Sequence, residues 1–194
     1  MRIFDNHIPE VLREELVHDS EYTSRPLAAY SFWDMKEFFS PQSVIQKALH
    51  HIWKDIIDPD DYIDGGIEWW INKSNGHAAN RWHLDIIEHR NDIRKQEEYN
   101  SADLTVAYYP YVNCLGGYLE ILDNERSNDK EEFLETLRLL NPSTQVERIK
   151  PVTNRAVFYD SHRIHRVSEI FKGQRDCLAS SISKKKPLTF NKKK

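Results

Sequence analysis

From about residue 67 the chain becomes a succession of short runs separated by turn residues: GIEWWI, RWHLDII, ADLTVAYYPYV, GGYLEIL, RAVFYD, HRVSEIF and RDCLASSIS. They are rich in β-branched and aromatic residues, and helices do not alternate between them as they would in a parallel sheet. Strands this short and numerous bury their apolar faces by closing into an antiparallel barrel or packing as a two-sheet jelly roll. One segment breaks the pattern. Residues 128–143, NDKEEFLETLRLLNPS, have the periodicity of an amphipathic helix ending before Pro142, which makes them a helical insertion between strands.

The region before residue 67 has a different texture. PEVLREELV (9–17) and PQSVIQKALHHIWKDII (41–57) place apolar residues at helical spacing, the second with Ser40 as N-cap and Pro41 at the first helical position. The expectation is a single domain over residues 1–194, mainly β (α+β). A mainly helical N-terminal support (1–66) packs outside a jelly-roll core (67–184), followed by a basic tail (185–194).

Several functions are disfavoured. The formal charge of -4 comes from acidic and basic residues mixed along the chain, so there is no basic face for nucleic acid, and KKKPLTFNKKK reads as a solvated terminus. No stretch approaches a membrane span and MRIFDNHIPE does not resemble a signal peptide, so a soluble cytoplasmic protein is expected. Cys114 and Cys177 form no C-x-x-C, which argues against a zinc site or a disulfide framework. The acidic DPDDYIDGG (58–66) lacks the calcium-loop pattern.

The segment NRWHLDIIEH (80–89) holds the only His-x-Asp of the chain, His83-Leu84-Asp85. In a strand, side chains two apart share a face, so His83 and Asp85 would project together and suit adjacent positions around one metal ion. With a further histidine they would form the two-histidine, one-carboxylate triad typical of non-haem Fe(II) oxygenases. His162 and His165 lie in NRAVFYDSHRIHRVSEIFKGQRDCLASSIS (154–183), with Arg175 beyond; His50 and His51 sit inside the second helix, where packing or solvent accounts for them.

The ordered elements H-x-D, G-G-x-L, VFYDSHRIHRV and GQR, running from about residue 80 to 183, resemble the Fe(II)/2-oxoglutarate-dependent dioxygenases of the prolyl-hydroxylase-like group, with weaker similarity in IFDNHIPEVL. The resemblance implies a double-stranded β-helix and makes His83, Asp85 and His165 the iron ligands. His165 is preferred over His162 because it stands before Arg-Val, and His162 falls in the expected turn. Arg175 would grip the far carboxylate of 2-oxoglutarate through paired hydrogen bonds. Tyr109 aligns with a tyrosine that reaches the same carboxylate in part of the group. Simple alternation puts Tyr111 on its face and Tyr108 on the other. Where many relatives carry Ser or Thr two residues after the arginine, this chain has Cys177, a poor donor that shifts weight onto a tyrosine.

Fe(II), 2-oxoglutarate and O2 are the implied cofactors, with ascorbate a candidate reductant. Retention of Asp85 favours hydroxylation over halogenation. The reaction implied is hydroxylation of an unactivated C–H bond, releasing succinate and CO2. The substrate would be a free amino acid or small metabolite, or alternatively a prolyl or other residue of a peptide or protein. A zinc hydrolase is disfavoured by the absence of H-x-H and H-E-x-x-H. A jelly roll that has lost turnover and acts as a sensor or binding protein is the remaining alternative. Tyr30, Trp33, Trp69, Trp70, Asn80 and Arg81 are candidates for the substrate side, and the 128–141 insertion for part of a lid.

Overall fold

The computed structural model describes residues 1–26, 29–74, 81–85, 102–126, 130–141 and 143–186. Its frame is two antiparallel sheets. The larger has six strands, β1 (Arg2–Phe4), β7 (Arg155–Asp160), β4 (Leu104–Gly116), β9 (Ile170–Ser183), β3 (Gly66–Ser74) and β2 (Ser31–Asp34), in that order. The smaller holds β6 (Val146–Ile149), β5 (Leu119–Arg126) and β8 (Arg163–Val167). From β4 to β9 the chain passes repeatedly between the two sheets, the jelly-roll arrangement expected of a mainly β chain with helices outside.

Alternation along the large sheet separates two cores. On β3, Ile67, Trp69 and Ile71 face a helical layer, whereas Trp70 joins the cluster between the sheets with Ala107, Tyr109, Val157, Tyr159 and Ala179. The helical layer contains α1 (Glu10–His18), α2 (Ser20–Ser24) and α3 (Val44–Trp53). Leu16, Ile45, Leu49, Ile52 and Trp53 are fully buried, in one core with Trp33, Phe158 and Leu178. Each such side chain contributes about 1.5–3 kcal/mol by leaving water. Trp53 Nε1 donates to Ser180 Oγ at 3.0 Å, tying the helical layer to the sheet.

The N-terminal third is less purely helical than its periodicity suggests. Its strands β1 and β2 pair with β7 and β3 and form the two edges of the large sheet. Helix α3 also starts later than Ser40 and Pro41 imply. Ser43 is the N-cap, its Oγ accepting from Gln46 N–H at 3.1 Å, while Gln46 Oε1 accepts from Gln42 N–H at 2.7 Å, a reciprocal cap that fixes the start. The insertion forms a helix, α4 (Lys130–Leu139), between β5 and β6. Strands β8 and β9 divide at Ser168–Glu169, so HRVSEIF belongs to two strands and GQR lies within β9. Among the described residues no helix is long and apolar enough to cross a membrane.

Two irregularities shape the interior. Tyr108 opposes Leu178 and Tyr111 opposes Asp176, so Tyr109 and Pro110 together face the single residue Cys177. This bulge overturns the simple alternation. Tyr109 stays inside, while Tyr111 moves to the face of Asp176 and is 39% exposed. The second irregularity is Gly116-Gly117, at φ +90° and +67°, where the chain leaves the large sheet for the small one. A Cβ on Gly117 would come within 3.0 Å of Ile170 and 3.4 Å of Arg175 Cδ.

Candidate metal and 2-oxoglutarate site

His165 sits on β8, and a single reciprocal backbone pair joins it to His83: His83 N–H donates to His165 O at 2.8 Å and His165 N–H to His83 O at 3.0 Å. Residues 81–85 therefore touch the small sheet at one point instead of forming the expected strand, and residues 86 and 87 of that run lie outside the described residues. The single contact still brings His83, Asp85 and His165 together. One ligand-type atom from each lies within 4.8 Å of the others, a spacing that one metal ion can bridge.

Both imidazoles are oriented from behind. His83 Nδ1 lies 2.8 Å from Arg81 O and His165 Nδ1 lies 3.0 Å from Arg163 O, so each ring presents Nε2 to the carboxylate. Asp85 Oδ1 is 3.7 Å from His83 Nε2, and its Oδ2 is 3.3 Å from His165 Nε2. Backing of this kind fixes the tautomer of a ligating histidine. A third group joins them. Tyr159, at the inner face of β7, donates its hydroxyl to Asp85 Oδ2 at 3.0 Å and lies 3.2 Å from His165 Nε2.

Charges in the cluster follow from these contacts. Burial pushes the Asp85 carboxyl up, but His165, His83 and the Tyr159 hydroxyl outweigh it and bring its pKa down to about 2. Burial likewise opposes a charge on His165, yet the adjacent Asp85 carboxylate raises its pKa above the ordinary histidine value. Burial holds His83 below that value, with His165 adding to the effect. In the metal-free site the Asp85 carboxylate favours the protonated form of His165, and a divalent cation would compete with that proton.

Arg175, at the inner face of β9, is 2% exposed. Among the described residues it meets no carboxylate. Its Nη1 donates to Gly117 O at 3.2 Å, and its Nε has no hydrogen-bond partner. A buried guanidinium in this state carries an uncompensated desolvation cost of several kcal/mol. The Tyr109 ring lies beside it, 5.6 Å from centroid to guanidinium carbon. Arg175 and the His83, Asp85 and His165 cluster line one cavity, with Trp70, Asn72, Tyr109, Leu119, Val167 and Cys177 among its other walls. An anion with one carboxylate for Arg175 and further oxygens for a metal fits both the orphaned guanidinium and the donor set.

The other expected residues separate. His162 lies in the β7–β8 turn, where its backbone N–H and Nδ1 are each 3.0 Å from Asp160 Oδ1. Trp33 and Trp69 belong to the helix-facing core, whereas Trp70 lines the cavity with the Tyr30 ring 5.2 Å away. Arg81 contributes its backbone carbonyl, and Asn80 lies outside the described residues. Tyr159 is a residue that motif reading missed, though it shares a strand face with Val157 within VFYDSHRIHRV.

Residues 69–182, more than half of the chain, match the model of the 2OG-Fe(II) oxygenase superfamily. No curated protein matches the sequence. Among solved structures, a Pseudomonas putida prolyl-4-hydroxylase is similar at 14% identity and TM-score 0.59, over 94% of this chain and 91% of that one. A Trichoplax adhaerens prolyl hydroxylase, in complex with a hypoxia inducible factor oxygen degradation domain peptide fragment, aligns at 15% identity and TM-score 0.60, over 94% and 83%. A viral collagen prolyl hydroxylase from Paramecium Bursaria Chlorella virus-1, in its 2OG complex, aligns at 12% identity and TM-score 0.58, over 94% of both chains. At such identities these neighbours establish the jelly-roll fold, and the family match establishes the enzyme class with its Fe(II), 2-oxoglutarate and O2. The chain belongs to the 2OG-Fe(II) oxygenase superfamily.

Proposed function

We propose that the protein, acting as one domain, hydroxylates an unactivated C–H bond of a free amino acid or other small metabolite, with succinate and CO2 as co-products. In this reading His83, Asp85 and His165 hold Fe(II), and Arg175 receives the far carboxylate of 2-oxoglutarate. Tyr109 packs beside that carboxylate, and Cys177 lines the same wall in place of a hydroxyl donor. Fe(II) and 2-oxoglutarate supply the oxidising chemistry when bound. The chain's own part is to fix the two imidazoles through Arg81 O and Arg163 O, to orient Asp85 through Tyr159, and to exclude water with the Trp70, Leu119 and Val167 walls.

The observation that carries the reading is Arg175, buried in the same cavity as the His/Asp/His cluster and lacking an anionic partner among the described residues. Anaerobic titration of the metal-free protein with Fe(II) and 2-oxoglutarate should give the weak visible charge-transfer band of the chelate. The band should be lost or strongly weakened in Arg175→Met and His165→Ala. Its absence from intact wild-type protein would overturn the assignment. A peptidyl residue is the second reading, supported by the peptide-bound Trichoplax neighbour. Succinate release driven by proline-containing peptides and not by free amino acids would select it.

A further inference from the structure

On the inner face of the large sheet a second charged side chain lacks a partner among the described residues. Glu68 lies two residues before the cavity-lining Trp70 on β3, so both project from the same face of the strand. It is 7% exposed. Among the described residues its carboxylate has neither a hydrogen bond nor an ion pair, and Asp85 is the charged group that acts on it. Its cross-strand neighbours are Phe32 on β2 and Ser181 on β9. The Ser181 hydroxyl is already engaged with Thr105 at 2.9 Å. Lys186 lies over the Phe32 ring at 5.3 Å but pairs with Asp34 at 3.5 Å.

Arg175 and Glu68 are thus two buried, opposite charges on one interior surface, and neither neutralises the other. Arg175 is accounted for by a dicarboxylate cosubstrate. Glu68 projects from the same face of the sheet without any such explanation, and aromatic residues stand opposite it and next along that face. Phe32 sits across from it, and Trp70 and Tyr30 pack at 5.2 Å with a 39° tilt next along the strand pair. A carboxylate bordered by aromatic faces is the chemistry that selects a cation, through charge-assisted hydrogen bonding and ring quadrupoles.

We propose that Glu68, with Trp70 and Tyr30, forms a subsite for the cationic group of the substrate, an ammonium or guanidinium borne by a small molecule. This rests on the small-metabolite reading above and narrows it to a basic amino acid or an alkylamine. Burial and the Asp85 charge together raise the Glu68 carboxyl to about 7, so a cation at this position also relieves a cost present in the ligand-free fold.

The test uses metal-free protein without 2-oxoglutarate, so that it is independent of iron chemistry. Calorimetric titration at about pH 8, where Glu68 is ionised, compares butylammonium with butanol, L-lysine with L-norleucine and L-arginine with L-citrulline. Wild-type protein should bind the cation of each matched pair roughly 10- to 100-fold more tightly, the worth of a hydrogen bond to a charged group, and Glu68→Gln should abolish the preference. Absence of a preference in the wild type overturns the proposal without recourse to the variant, and a preference that survives in Glu68→Gln overturns it equally. Loss of the chelate band with the cation preference intact would instead refute the dioxygenase assignment and leave the cation subsite standing. With Fe(II) and 2-oxoglutarate added, the cationic probes should also stimulate succinate release above the neutral ones.

Discussion

Replacing Glu68 by glutamine should remove one component of the pH dependence of stability in the metal-free protein. Burial first, and Asp85 second, raise this carboxyl from 4.5 to about 7 in the folded chain. Between those values the folded state keeps a proton that the unfolded state releases. The contribution is therefore complete below about pH 4.5 and is lost as the pH rises through about 7. The difference, 7 minus 4.5, is about 2.5 units; at 1.36 kcal/mol per unit the wild type should lose about 3 kcal/mol that the variant keeps. For a chain of this size that corresponds to a relative change of roughly 6–12 °C in melting temperature. Urea unfolding of both proteins at about pH 4.5, 6 and 8, with a chelator present, measures it. His165 and His83 are present in both proteins, so their titration enters both curves and drops out of the difference. A gap between wild type and variant that stays constant from pH 4.5 to 8 would refute the argument, because it would mean that Glu68 is not titrating from a buried position.

Other consequences concern the metal and the anion. Arg175→Met should raise KM for 2-oxoglutarate by about 100-fold or more while leaving the ligand-free melting temperature the same or higher, since a buried unpaired charge is exchanged for an apolar side chain. Thermal stabilisation of that variant by 2-oxoglutarate equal to that of wild type would contradict it. Tyr159→Phe should weaken Fe(II) binding by roughly 10-fold, because Asp85 loses the hydroxyl that orients it, and metal titration reads this directly. Fe(II) affinity should also rise with pH across the elevated pKa of His165, since binding expels that proton, whereas Asp85, at about 2, adds no dependence near neutrality. Proton release measured during Fe(II) addition checks the sign.

The sheet-forming half of the chain was legible because its strands are short β-branched and aromatic runs bounded by turn residues, and the ordered motifs named the His83, Asp85, His165 and Arg175 set that the fold draws around one cavity. What local periodicity cannot report is a change of register. The Tyr109–Pro110 bulge, which sends Tyr111 to the opposite face, depends on how β4 meets Cys177 across the sheet. Edge strands β1 and β2 were hidden for a related reason. Three or four residues are too short to show a period, and pairing with β7 and β3 defines them. Tyr159 and Glu68 were readable in principle as polar members of otherwise apolar strand faces, but their significance lies in who stands opposite, which is tertiary information.

The single backbone bridge between His83 and His165 has a kinetic consequence. With the proposed ligands, an ion fastens the 81–85 segment to β8 as a staple fastens a loose page, and the staple can leave only when the page lifts. Iron release and local opening then become one event. The exchange rates of the His83 and His165 amide protons would serve as a clock for metal residence, slowing together when the site fills while the amides of β9 keep their own pace.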